Sequence, residues 1–178
     1  MSQKIVVITG APSSGKTTLI NELNAQGHHC FEEISRAITL DAQKKGIEQL
    51  FLHQPLLFSD MLLEGRMNQL MKARKIDQEF VFLDRGIPDI IAYMDYINVT
   101  YPNNYVVSSQ EERYHKIFLL PPWKEIYTTD QARYESFEEA EKINQFLLET
   151  YQRYNYEVII IPKGTVQERA TFIFNHFI

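Results

Sequence analysis

The stretch Gly10 to Thr18, GAPSSGKTT, follows the pattern glycine, four residues, glycine, lysine, serine or threonine at Gly10, Gly15, Lys16 and Thr17. Each residue type has a task on a triphosphate. The glycines let main-chain N–H groups curl round an anion across Ala11, Pro12, Ser13 and Ser14. The N-terminus of the helix that follows adds partial positive charge, Lys16 reaches the β and γ phosphates, and the Thr17 hydroxyl ligates Mg²⁺. Thr18 completes the stretch. Nucleoside triphosphate binding, with ATP and Mg²⁺ as cofactors, is therefore expected here instead of a purely structural glycine turn. Lys16 is expected as a solvated ligand group outside the core.

Acidic residues at strand ends come next. Phe80 to Gly86 reads FVFLDRG, an apolar run ending in a carboxylate. Asp84 is placed to hold Mg²⁺ beside the phosphate loop, and Arg85 offers a planar, permanently charged group for phosphate oxygens. The competing reading is a surface ion pair. Glu32 and Glu33 end another apolar run, with Arg36 shortly after. Either carboxylate could serve as general base, and side-chain alternation along a strand gives them different directions without saying which faces the site. Both could instead cap the next helix. After a further strand, Arg133, with Lys124 as the weaker option, is positioned to deliver charge to a transferring phosphoryl group. Lys163 and Gly164 lie where a nucleotide base would rest.

The elements that position these groups are legible in the periodicity. Lys4–Thr9, His29–Glu32, Phe80–Leu83, Lys116–Leu120 and Glu157–Ile161 are short apolar runs expected as strands covered on both faces. Between them lie amphipathic helices. Leu19, Ile20 and Leu23 form one stripe, ending at Gly27 as the residue just past the helix. Phe137, Ala140, Ile143, Leu147, Tyr151 and Tyr154 form another behind a Ser136–Glu139 capping box, and Thr165 with Glu168 opens a last helix. Thr100–Tyr114 and Trp123–Glu135 are polar and turn-rich and are expected as loops, with substrate-covering segments as their functional reading. Strand–helix alternation implies a parallel α/β sheet. One nucleotide-binding domain over 1–178, with a lid around 123–136, is expected.

Composition narrows the partners. Eighteen basic against 23 acidic residues give a net charge of −5, which disfavours nucleic acid. Cys30, the sole cysteine, cannot form an internal disulfide and is expected as a small buried strand residue. No stretch approaches the roughly 18 apolar residues of a membrane span, and the first apolar run is too short for a signal-peptide core, so a cytoplasmic protein is expected. A GTPase would need Asn-Lys-x-Asp after an apolar strand. Lys75 and Asp77 have that spacing, but Arg74 precedes them in a polar helix end.

Taken together, GAPSSGKTT, Glu33 with Arg36, FLDRGIPDIIAY and IIIPKGTVQERATFI resemble the small stand-alone P-loop ATPase family related to the nicotinamide riboside kinase domain of NadR. More distantly they resemble deoxynucleoside and thymidylate kinases. The resemblance implies an α/β P-loop NTPase three-layer sandwich: a five-stranded parallel sheet in the order 2-3-1-4-5 flanked by helices, with an arginine-bearing lid after the fourth strand. It also implies Glu33 as base, Asp84 with Arg85 as the acidic–arginine pair, and Arg36, Arg66 and Asp89 on the acceptor side. His53 to Lys75 would line the acceptor pocket through Phe58, Arg66 and Gln69; read by itself, that segment is an ordinary core helix. Two functions are weighed: an Mg-dependent kinase passing the γ-phosphoryl group of ATP to a small nucleoside- or riboside-like hydroxyl, and an ATPase switch acting on a protein or lipid partner.

Overall fold

The computed structural model describes residues 2–47, 49–127 and 136–177. Its five strands are β1 Lys4–Gly10, β2 His29–Phe31, β3 Phe80–Asp84, β4 Lys116–Leu120 and β5 Val158–Ile160. They pair in parallel in the order β2-β3-β1-β4-β5, so all carboxyl ends share one rim. β1 lies at the centre, which explains its unbroken apolar run: Val6, Val7 and Ile8 are fully buried.

Side-chain alternation along β1 divides the interior into two layers. Val6 and Ile8 pack with Phe82 and Phe118 against α1 (Lys16–Ala25) and α8 (Val166–Asn175). Val7 packs with Leu83 and Ile117 on the opposite face. That face is covered by α4 (Pro55–Ala73), α5 (Pro88–Tyr96) and α7 (Phe137–Arg153). The result is helices, sheet, helices, as expected. Both expected capping boxes form, at Ser136–Glu139 and Thr165–Glu168. α1 ends before Gly27, whose φ of +91° no β-carbon-bearing residue adopts readily.

Three expectations are corrected. β2 and β5 are sheet edges and shorter than their apolar runs, because an edge strand has one neighbour to set its length. Cys30, on edge strand β2, is accordingly half-buried; burial and then Asp84 push its thiol up to about 12, leaving it unreactive. Thr100–Tyr114 is not a loop. It contains α6 (Asn103–Glu111), whose Tyr105 and Ser109 are fully buried one helical turn apart. Tyr105 donates its hydroxyl to the Asp60 carboxylate at 2.8 Å. The remaining short helices, α2 (Ser35–Lys44) and α3 (Leu50–His53), lie between β2 and α4. No described helix is long and apolar enough to cross a membrane.

Candidate active site

The phosphate loop joins β1 to α1. Gly15 caps α1 with φ +79°, the left-handed region a glycine occupies at no steric cost. The first amides of α1, which have no acceptor within the helix, follow directly after that turn. Ser14 is buried, and its hydroxyl oxygen has no hydrogen-bond partner among the described residues. A buried, unsatisfied hydroxyl beside the left-handed Gly15 turn suits a phosphate oxygen, so the loop fits the triphosphate its pattern implies. Thr17 and Thr18 stand exposed on the first turn of α1.

Lys16 is not the solvated group the motif suggests. It is buried, and its ammonium donates to Oδ1 of Asp84, itself buried at the end of β3. Register explains the meeting: β1 and β3 pair up to Ile8 and Asp84, so both rim ends lie side by side. Burial pushes the Asp84 carboxyl up, against the pull of Lys16. Thr17 and Asp84 together offer a hydroxyl and a carboxylate, hard oxygen donors that fit Mg²⁺, which typically takes one or two protein ligands and completes its shell with phosphate and water.

Beside this pair lies a carboxylate between two guanidinium groups. Glu33, just past β2, receives Nε of Arg85 and lies 3.5 Å from Arg66. It also accepts a hydrogen bond from the Ser35 amide at 3.1 Å. Burial alone would raise its carboxyl, but Arg85, Arg66 and Lys16, with the Ser35 amide, outweigh that and lower it from 4.5 to about 2. Glu32, by contrast, is exposed; only its carbonyl is engaged, by the Gln69 amide at 2.8 Å. Of the two candidate bases, Glu33 is the one at the rim.

Two residues expected on the acceptor side are buried, each within a network of protein contacts. Arg66 is buried on α4, donating at 2.8 Å to the Gly86 carbonyl while it flanks Glu33. Asp89 is wholly buried at the start of α5 and is saturated with donors. It accepts from Thr9 and Tyr151 hydroxyls, both at 2.5 Å, and from Arg85 and the Gly86 amide, both at 3.0 Å. A carboxylate so enclosed cannot meet a substrate. Its work is to hold Arg85, whose φ of +75° is costly for a non-glycine residue and needs such restraint. Tyr93 adds an aromatic face 5.3 Å from the guanidinium. Burial opposes the Arg85 charge, yet Tyr93, Glu33 and Asp89 more than offset it, so the side chain stays cationic.

Arg36 is exposed on the first turn of α2, and Phe58 is a core residue of α4. Lys163 is largely exposed, 3.5 Å from Glu125, and lines a small pocket with Ser14, Trp123 and Arg169. Lys124 opens a short 3₁₀ turn, Lys124–Ile126, over the same region. Arg133 and most of the expected lid fall in 128–135, outside the described residues.

Among families of known proteins, AAA_28, described as an AAA domain, matches residues 5–169, nearly the whole chain. The chain belongs to the AAA_28 family. No curated protein matches it in sequence. Solved structures similar to this AAA_28 chain include NadR in complex with NR, at a TM-score of 0.78 and 18% identity, covering 98% of this chain and 51% of that one. Deoxyadenosine kinase from M. mycoides has a TM-score of 0.70 at 16% identity, over 97% and 98% of the two chains. Thymidylate kinase from Candida albicans has a TM-score of 0.61 at 16% identity, over 98% and 91%. At such identities these likenesses carry the P-loop kinase-like fold, which agrees with the resemblance seen in the motifs.

Three further polar residues around this rim do not stand out in the sequence. Thr9 and Tyr151 reach Asp89 from β1 and α7. Tyr151 was counted only as part of an apolar stripe. Arg169, a cation among the apolar positions of α8, is buried against the phosphate loop. Polar residues inside a buried stripe were the available signal.

Proposed function

We propose that this protein is a Mg²⁺-dependent kinase that transfers the γ-phosphoryl group of ATP to a hydroxyl of a small, nucleoside- or riboside-like molecule. The observation that carries the reading is the adjacency of two assemblies at one rim: Lys16 paired with Asp84, and Glu33 held between Arg85 and Arg66. The first suits a metal-bound triphosphate; the second suits an acceptor hydroxyl facing it.

In this reading the phosphate loop, Lys16, Thr17 and Asp84 hold Mg·ATP, and the ion's contribution is to neutralise charge on the phosphates. Glu33 accepts a hydrogen bond from the acceptor hydroxyl and orients its oxygen. A carboxylate lowered to about 2 is a weak base at neutral pH, so it takes the proton late, as the new phosphorus–oxygen bond forms. A loose phosphoryl-transfer transition state tolerates late proton removal. Arg85, held by Asp89, stabilises charge on the transferring group, and Arg133, from the segment after β4, is a candidate second cation. Lys163 is a candidate base-side contact and Arg36 an acceptor-side one. The similar folds of NadR in complex with NR, a deoxyadenosine kinase and a thymidylate kinase are consistent with this substrate class. The ATPase-switch alternative drew on two polar loops, one of which is the helix α6.

The test is to incubate the protein with Mg·ATP and a pool of nucleosides, vitamin ribosides and small alcohols, following ADP and phosphorylated products by mass spectrometry. A product that requires Lys16 and falls by about 100-fold in Glu33→Gln supports the reading. Slow ADP release with no phosphorylated acceptor overturns it in favour of an ATPase.

A further inference from the structure

The cations near the phosphate loop differ in how their charge is met. Lys16 is paired with Asp84, Arg85 with Glu33 and Asp89, and Arg66 with Glu33. Arg169 has no such partner among the described residues. It is 6% exposed, its Nε is buried without a hydrogen-bond acceptor, and no described carboxylate pairs with it. Its one described polar association is the Trp123 ring, 5.8 Å from the guanidinium carbon.

The guanidinium also lies directly on the phosphate loop. A β-carbon at Gly15 would stand 2.8 Å from one terminal nitrogen of Arg169 and 3.5 Å from the other. Gly15 is the left-handed residue at which α1 begins, next to Lys16. Arg169 is the fourth residue of α8, at the positive end of that helix, where a cation is disfavoured. Burial without a counter-charge and an unfavourable helix position both act against the folded state. A residue that stability alone would not place there, set against an anion-binding loop, calls for an anion that arrives with the ligand.

We propose that Arg169 is a ligand of the phosphate chain of the donor nucleotide, supplying from α8 a cation left without a carboxylate partner among the described residues. This rests on the nucleotide-binding reading above. The guanidinium donates to phosphate oxygens beside the Gly15 turn, while the Trp123 ring steadies its plane. It thereby adds, beside Lys16, a second charge-assisted contact, from a cation that no described carboxylate pairs with.

Trp123 is the single tryptophan of the chain and neighbours Arg169, so its fluorescence reports binding directly. Wild type, Arg169→Gln and Arg169→Lys are titrated with Mg·ATP, Mg·ADP, adenosine and tripolyphosphate, and their thermal unfolding without ligand is measured. Arg169→Gln is expected to weaken Mg·ATP, Mg·ADP and tripolyphosphate by roughly 10- to 100-fold while leaving adenosine within about twofold. Arg169→Lys, which keeps the charge and loses the planar fork, recovers part of the loss. Without ligand, Arg169→Gln unfolds at the same temperature as wild type or higher, since an uncompensated buried charge has been removed. Unchanged Mg·ATP affinity overturns the proposal, as does an equal loss for adenosine, which would make Arg169 a base contact. A marked fall in unfolding temperature in both variants overturns it too, making the residue structural. Lys16→Ala in parallel separates these failures from failure of nucleotide binding itself: if wild type and Lys16→Ala bind Mg·ATP alike, the underlying reading falls with it.

Discussion

Lys16 and Asp84 form a buried pair, and that changes what mutating either should do. A motif lysine reaching into water could be removed at no cost to folding. Here its loss strands a carboxylate that is 4% exposed. Breaking a buried pair from one side costs about 3 kcal/mol, whereas replacing both members by neutral groups of similar shape is close to neutral. Lys16→Met is therefore expected to lower the unfolding free energy by about 3 kcal/mol in urea titration, reduced where Asp84 picks up a proton. Lys16→Met/Asp84→Asn should recover most of that loss, and neither variant should bind Mg·ATP. Equal stability of the single and double variants would contradict the pairing. At this scale the motif residues were readable from type and spacing alone. Arg66 and Asp89 were not, because sequence shows that a charge sits on a helix but not whether it faces solvent, substrate or another charge.

Elements earn their effect on the site through one buried junction. Asp89 on α5 ties Thr9 of β1, Tyr151 of α7 and the Arg85–Gly86 turn after β3. Gly86 is required by close approach: a β-carbon there would stand 2.6 Å from the Tyr151 hydroxyl and 3.0 Å from the Tyr114 ring. Burial and the Asp89 carboxylate keep the Tyr151 phenol protonated, hence a donor. Tyr151→Phe removes that donor and leaves a buried carboxylate oxygen underserved. It should cost about 1–3 kcal/mol in unfolding free energy. It should also slow phosphoryl transfer through a loosened Arg85, with little change in KM for ATP. A stability loss with unchanged kcat would confine Tyr151 to packing. The helices and strands around this junction were legible because their stripes are long and periodic. α6 was not: its buried face rests on Tyr105 and Ser109, within a polar, proline-led stretch whose composition matches that of a turn. The edge strands were read too long for a related reason, since apolarity marks burial and does not mark where pairing stops.

For the molecule as a whole, site and stability are linked by protons and by ligand. Glu33 has its carboxyl lowered from 4.5 to about 2 in the folded protein. A depressed carboxylate stabilises the fold fully above its unfolded value and loses that contribution as pH falls towards its folded value. The difference in unfolding free energy between wild type and Glu33→Gln should therefore be constant above pH about 5 and shrink between about 4.5 and 2. Asp84 is shifted the other way by burial and in part by Glu33 itself, so both proteins are compared in an Asp84→Asn background, where that opposing slope is absent. A difference that stays constant to pH 2 would mean that the arginine clamp contributes nothing to folding.

The ligand linkage runs in the opposite direction and tests the rim as a unit. Binding to the folded chain alone stabilises it by about 2.7 kcal/mol at 100 times Kd, which for a protein of this length raises Tm by roughly 5–11 °C. Mg·ATP should produce a rise of that size, because the groups arranged to meet it come from β1, α1 and β3, which meet only in the folded sheet. Chelating the metal should remove part of the rise, since Thr17 and Asp84 would then face the phosphates without a bridging cation. AMP, which lacks the β and γ phosphates that Lys16 serves, should give a much smaller shift. In Lys16→Met the Mg·ATP shift should be lost and the small AMP shift kept, although its starting Tm is lower. If AMP and Mg·ATP raised Tm equally, the stabilisation would come from the base and ribose, and the phosphate loop would have no part in it.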